Sequence, residues 1–238
     1  MNLSGVFSYG NLLKTFLPGL LLLCGMVLFT DSYILFPYSQ KTQTLITALA
    51  KTPAFSIVLI ASTSILFGII SNSIHFKWTI PYIGKIFESR NKMFVDFKKA
   101  ALSEMEHHYA KLLNIPNNHI PMSHNGFDVR AFLLNKTDVV TLQYLRESYW
   151  YYMEFQVNSI GASIFLCAAS TAYTTINYLI KNISITSCIL IVCLMLAFTT
   201  LTILIFAKAA YENYEKHEKK YFSFLLGTYH ICRFGNIK

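Results

Sequence analysis

Four apolar runs, at residues 15–36, 54–74, 158–180 and 186–207, decide what this chain can fold into. A helix that crosses the hydrocarbon core of a bilayer needs about 20 predominantly apolar residues, and each run reaches that length. The last three carry no Asp, Glu, Lys or Arg. A helix buried in a water-soluble core is seldom so long without a charge, so the solvent these runs match is lipid. The first run also has the length of a signal-peptide core. No small-x-small cleavage pattern follows it, one lysine precedes it, and residues 33–36 carry the apolar run past Asp31, so an uncleaved span is predicted.

Composition agrees with that reading. Hydrophobic residues make up 54% of the chain and charged residues 13%, where a globular domain has about 25% charged. The net charge of +8 would suggest nucleic acid as the partner of a soluble protein. Here the bases fall beside the apolar runs instead: Lys77 and Lys85 follow the second, Lys208 ends the fourth, and Lys216, Lys219 and Lys220 lie beyond it. By the positive-inside rule the expectation is a multi-pass protein of the cell (inner) membrane. Both termini and the central polar interval are then cytoplasmic, with residues 38–52 and 181–185 outside. Lys14 is the sole base before the first run, and Lys41 and Lys51 in the first outer loop weigh against this orientation. The expected partners are the lipid bilayer and further copies of the chain, with no specific nucleic acid binding. Cys24, Cys167, Cys188 and Cys193 fall inside the runs and Cys232 in the tail. Their spacing suits neither disulfides nor zinc and reads as apolar packing. The sequon at residues 182–184 sits in a turn of a few residues and carries no weight.

The predicted fold class is all-α: a polytopic membrane protein with four transmembrane helices and a helical cytoplasmic domain. Its parts are a transmembrane hairpin at residues 1–76, a cytoplasmic helical domain at 77–157, a second hairpin at 158–207 and a C-terminal cytoplasmic helix and tail at 208–238. Pro18 and Pro53 stand at the expected starts of the first two spans, where a missing backbone donor costs nothing. Trp78, Pro81 and Tyr82 read as an interfacial elbow. From Lys85 a helix is predicted to run to Asn114, with Phe94, Phe97, Ala101, Met105, His108 and Leu112 on its apolar face. Residues 115–126 have loop chemistry, and residues 127–134 read as either a short strand or a helical turn. Asn135, Lys136 and Thr137 offer a cap for a second helix.

That second helix meets no Pro or Gly between Asp138 and Ile160. Leu142, Leu145, Tyr149, Tyr152, Gln156, Ser159 and Ser163 alternate steps of three and four across the polar-to-apolar boundary. A single rod over residues 138–180 is therefore predicted, about 65 Å long at 1.5 Å per residue. The fourth span is expected to extend likewise through residues 208–226 as far as Gly227, with Tyr211, Tyr214, Tyr221 and Leu225 as its stripe.

Few constellations carry chemistry. Glu104 and His107 share a helix face at the spacing of half a carboxylate-bridged di-iron site, and His108 is adjacent. A second Glu-x-x-His and further carboxylates are missing, so no metal or other cofactor is expected. His119 and His124 join His107 and His108 in the polar interval and titrate near neutrality, yet polar loops collect histidine without purpose. No nucleophile elbow, zinc-protease, Cys-x-x-Cys, Walker or dinucleotide motif occurs, and of the histidines only His75 sits at a span end, so an enzyme is not expected. Asp31 is the sole acid inside an apolar run, placed close to the outer headgroups.

Small and hydroxylated residues gather on single helix faces. In the second span these are Ala61, Ser64, Gly68 and Ser71, and in the third Ser159, Ser163, Cys167, Ser170, Thr174 and Asn177. Such faces let membrane helices approach and add interhelical hydrogen bonds. They serve packing within one chain, or a seam between copies lined by Ser64, Gly68, Ser71, Ser163, Ser170, Thr174 and Asn177. Tyr144, Arg146, Tyr149, Trp150 and Tyr152 form an aromatic belt ahead of the third span, suited to interface anchoring and to contact with a partner.

These features predict a non-enzymatic oligomeric membrane protein, a channel or pore-type or membrane-perturbing effector gated through its cytoplasmic helices. The alternative is a membrane anchor or regulatory subunit that binds a cytosolic protein partner. A small metal-dependent membrane enzyme resting on Glu104 and His107 is the third reading. In outline the four-span plan resembles membrane subunits of prokaryotic anti-phage defence systems, and that likeness of architecture implies a cytosolic partner.

Overall fold

The long apolar runs form helices, and so do the polar segments that flank them. A computed structural model describes residues 9–34, 51–112, 130, 133–134, 139–180 and 183–234, and no strand occurs among them. The elements are α1 (Tyr9–Ile34), α2 (Pro53–Arg90), α3 (Lys92–Leu112), α4 (Val139–Leu145), a π-helical turn (Arg146–Trp150), α5 (Tyr151–Leu179) and α6 (Ile185–Phe234). Three helical stretches, Ser56–Arg90, Val139–Leu179 and Ile185–Phe234, are long and apolar enough to cross a membrane. The apolar stretch Lys14–Thr30 of α1 is shorter.

The chain divides into two units, Met1–Pro81 with Tyr151–Glu212 and Tyr82–Trp150 with Asn213–Lys238. In the first, α5 is the interior helix. Its buried face runs through Val157, Ala162 and Ala169 and is otherwise rich in small polar residues. Helix α6 keeps its apolar side chains outward, with Leu194, Leu201 and Leu204 at 60%, 57% and 69% exposure. Water would penalise so many bare leucines on one helix, whereas hydrocarbon does not. Thr199 donates to the Ser163 carbonyl at 3.2 Å and Phe155 meets Phe206 at 5.7 Å, which fixes α6 against α5. Ser184 starts α6 by accepting from the Ser187 backbone N–H at 3.2 Å, an N-cap.

Helices α1 and α2 touch backbone to backbone. A Cβ built on Gly19 would lie 1.7 Å from the Ser64 carbonyl oxygen, and one on Gly68 would lie 2.0 Å from that of Thr15. Only glycine fits either place, as expected where membrane helices gain their contact from close van der Waals approach.

The second unit is built as a water-soluble core. Leu102, Met105 and Tyr109 of α3, Leu133, and Phe222, Leu225 and Tyr229 of α6 bury one another. Its rings meet edge to face: Phe87 on Phe94 at 5.9 Å, Phe94 on Phe222 at 5.8 Å and Tyr109 on Tyr229 at 6.1 Å, the arrangement that aromatic quadrupoles favour. Gly84 admits the Tyr214 hydroxyl, which would lie 3.0 Å from a Cβ there. Burial, with Glu218 and Glu88 near, pushes the Tyr214 phenol up to about 12. A Lys98–Glu218 ion pair and an Arg233–Glu104 pair at 3.0 Å flank the core.

Several expectations are corrected here. Trp78, Pro81 and Tyr82 do not end a helix, because α2 continues through Pro81 to Arg90. Pro81 lies on an exposed side of the helix, where its lost donor and the crowding of the preceding turn are tolerated. The boundary between α2 and α3 falls at the single residue Asn91, and the ladder runs on across it: the Asn91 backbone N–H donates to the Phe87 carbonyl at 2.9 Å and that of Val95 to the Asn91 carbonyl at 3.0 Å, with the Asn91 side-chain amide adding a bond to the Phe87 carbonyl at 3.3 Å. The helix expected from Lys85 therefore begins at Lys92. Its inner face is turned slightly from the expected one: Leu102 and Tyr109 are buried, whereas Phe97 is 55% exposed. Pro18 does not start a helix either, since α1 begins at Tyr9. Arg130, Leu133 and Leu134 are helical, which favours the helical alternative for that stretch. Helix α6 passes Gly227 and ends at Phe234, because the buried Leu225 and Tyr229 on either side outweigh a glycine cost of about 1 kcal/mol. The rod over residues 138–180 is helical from Val139, but with the π turn in it. The segment 115–126 and the cap at Asn135, Lys136 and Thr137 lie outside the described residues.

Met105 is fully buried. Met105→Ala should destabilise the second unit by about 2–5 kcal/mol, measured as a shift in the denaturant transition followed by Trp150 fluorescence.

Candidate functional site: a polar cluster inside the apolar unit

A proline within a helix leaves the carbonyl four residues earlier without its donor. In α1 that proline is Pro18 and the carbonyl belongs to Lys14. The Asn158 side-chain amide fills the vacancy, donating to the Lys14 carbonyl at 3.2 Å. The same amide donates to the Asn72 side-chain oxygen at 3.1 Å, and the Asn158 oxygen accepts from the Ser71 hydroxyl at 3.3 Å. One fully buried asparagine thus ties α5 to α1 and α2. Every polar group of the amide is used, as burial demands.

One turn away, the Lys14 ammonium meets the Glu154 carboxylate at 2.7 Å, with the two side chains 12% and 4% exposed. The same ammonium lies 4.4 Å from the centre of the Tyr151 ring, a cation–π contact. Tyr151, Glu154 and Asn158 follow at helical steps of three and four, so one edge of α5 presents ring, acid and amide in succession. All three face α1. A buried pair of this kind contributes little net stability, but losing one partner leaves the other charge stranded.

The predicted seam residues lie along the interior of the same unit. Ser64 is fully buried, Ser71 6%, Ser163 fully buried, Ser170 6%, Thr174 2% and Asn177 7% exposed, and Gly68 is buried against Thr15. Their hydrogen bonds stay largely within their own helices: Ser163 to the Ile160 carbonyl at 2.9 Å, Thr174 to that of Ser170 at 2.5 Å and Asn177 to that of Tyr173 at 2.9 Å. The Ser64 hydroxyl has no hydrogen-bond partner among the described residues.

The aromatic belt separates. Trp150 packs on His217 with centroids 4.9 Å apart, and Lys220 lies 5.1 Å from the Tyr149 ring centre. The hydrogen bond from Lys220 holds the Tyr149 phenol below its usual range. Tyr144 stands edge-on to Tyr149 at 6.5 Å and remains 53% exposed. Arg146 is exposed, and Tyr152, in the apolar unit, is 43% exposed. Glu104 accepts from Arg233 at 3.0 Å, and His107 Nδ1 sits 2.9 Å from the Ser103 carbonyl. Among the described residues no group of three His, Cys, Asp or Glu side chains is placed to hold a metal. The side chain of Asp31 lies outside the described residues, as do His119 and His124.

Sequence reasoning missed Lys14, Asn72, Tyr151, Glu154 and Asn158 as a set. The signal was a base and an acid, Lys14 and Glu154, each just ahead of an apolar run, with Asn158 one turn beyond the acid and Asn72 inside the second run. Comparison of the chain with protein-family models, with curated proteins and with solved structures finds no match in any of the three.

Replacing Lys14 by Met should destabilise the apolar unit by about 3–5 kcal/mol, because the buried Glu154 carboxylate loses its counter-ion. The double variant Lys14→Met, Glu154→Leu should recover most of that loss in a double-mutant cycle read by unfolding in mixed detergent. In the second unit, burial lowers the His217 pKa; the nearby Glu218 carboxylate opposes it in part, and Lys98 adds a smaller push in the direction of burial. The unfolded chain binds a proton near pH 6.5 where the folded one does not. Stability present above that pH should therefore fall as the pH drops towards the folded value, and His217→Phe should flatten the slope.

Proposed function

We propose that this chain is a non-enzymatic, multi-pass protein of the cell membrane that acts as a homo-oligomeric channel-type or membrane-perturbing effector. In this reading α1 also crosses the bilayer, giving four spans. The helical second unit and both termini face the cytoplasm, where the lysines that follow the apolar runs belong.

The observation that carries the reading is the column of Ser, Thr and Asn side chains buried along α5 from Asn158 to Asn177, inside a unit whose outer surface is apolar. Groups that already bond to their own helix can exchange a packed neighbour for water without losing an interhelical bond. Helix α1 covers part of α5 and is held there by Asn158 and the Lys14–Glu154 pair. Releasing α1 would bare polar positions of α5 to a seam between copies, which the apolar faces of α6 bring together in the bilayer. The second unit would gate this release through the helices it shares with the first.

The alternative, a membrane anchor for a cytosolic partner, is favoured by the exposure of Tyr144 and Arg146. An anti-phage setting rests on the likeness of architecture alone.

Liposomes containing the purified protein should leak an entrapped dye or conduct ions. Ser163→Leu and Thr174→Leu should change that leakage at least several-fold while the oligomer elutes unchanged. Intact oligomers in tight liposomes would instead support the anchor.

A further inference from the structure

Beside the polar cluster lies a cleft of about 370 Å³, walled by Leu22 and Met26 of α1, Phe67 of α2 and Phe165 of α5. That volume falls in the range of small-molecule sites, roughly 300–1,000 Å³. Its rim includes Ile70 and Ile74, 46% and 54% exposed, in a unit whose surrounding solvent is hydrocarbon, so an occupant would enter from the bilayer. The polar part of the lining is Ser71 and His75. The Ser71 hydroxyl makes a long bond of 3.3 Å to Asn158. His75 Nδ1 meets the Thr79 hydroxyl at 2.8 Å. Nε2, at the other side of the ring, is accommodated by Gly161, where a Cβ would come within 2.4 Å of it. Among the described residues no Lys, Arg, Asp or Glu lines the cleft, and the nearby Lys14 ammonium is engaged with Glu154.

We propose that this cleft binds an uncharged long-chain amphiphile from the bilayer, its hydrocarbon between Phe67 and Phe165 and its single hydroxyl or carbonyl at Ser71 and His75. A charged head would find no counter-ion there and would lose its hydration. The chain would bridge α1, α2 and α5, the three helices that Asn158 ties, and so favour the state in which α1 covers α5. That regulatory consequence rests on the function proposed above, whereas binding itself does not.

The full chain in lipid nanodiscs is irradiated with a diazirine-bearing hexadecanol, and the labelled residues are mapped by mass spectrometry. Label should concentrate several-fold at Leu22, Met26, Phe67 and Phe165 over the lipid-facing Leu194, Leu201 and Leu204 of α6, and unlabelled hexadecanol should displace it. Palmitate should displace it at least several-fold less well. Ile74→Trp should abolish the selective label. His75→Phe, which keeps the ring and removes its nitrogens, should weaken competition several-fold; both variants are read only after an unchanged unfolding midpoint. Equal labelling of the cleft and α6 without competition would overturn the site as ordinary lipid solvation, and equal competition by palmitate would overturn its preference for an uncharged head. Because labelling is independent of dye leakage, failure of one assay leaves the other standing.

Discussion

A backbone group stranded away from water must find a partner within the protein, and the apolar unit depends on how Asn158 meets that constraint. Pro18 removes one hydrogen bond from α1, and a side chain of α5 restores it from outside the helix. The defect in one helix thereby becomes the attachment point of another. The close approach of α1 and α2 at Gly19 and Gly68 supplies van der Waals contact over the same region, so backbone proximity and polar satisfaction reinforce each other. The Lys14–Glu154 pair adds direction more than stability, because the cost of taking two charges out of water offsets most of their attraction.

The second unit rests on different physics. Leu102, Met105, Phe222 and Leu225 are driven together by the exclusion of water, and edge-to-face rings give the core its geometry. Its charges are paired at the margin, as Lys98–Glu218 and Arg233–Glu104 are. Helix α6 serves both settings by changing composition along its length: leucine and isoleucine outward before Lys208, then charges alternating with aromatic residues.

The apolar helices were legible because bilayer thickness imposes a length that composition reveals directly. Continuity of the later helices was legible too, since no Pro or Gly falls between Asp138 and Ile160 or between Ile185 and Leu226. The polar cluster was not, for a definite reason. An unbroken α period carried from Leu145 places Tyr152 and Gln156 inside, whereas the observed inner edge is Tyr151, Glu154 and Asn158. The expected stripe holds again from Ser159 and Ser163, both buried, so the departure is local to the residues that follow the π turn Arg146–Trp150. Periodicity cannot register such a turn, because nothing in Arg146–Trp150 breaks a helix. Likewise the exposed Pro81 was tolerated inside α2, where a proline reads in sequence as a helix boundary.

The extra residue in that turn has a mechanical consequence. Reverting it to an α turn would rewind the residues that follow by about 100°, trading the tyrosine, acid and amide on the inner edge for their neighbours. Winding, and not residue order alone, thus decides which side chains α5 turns towards its neighbours in the first unit.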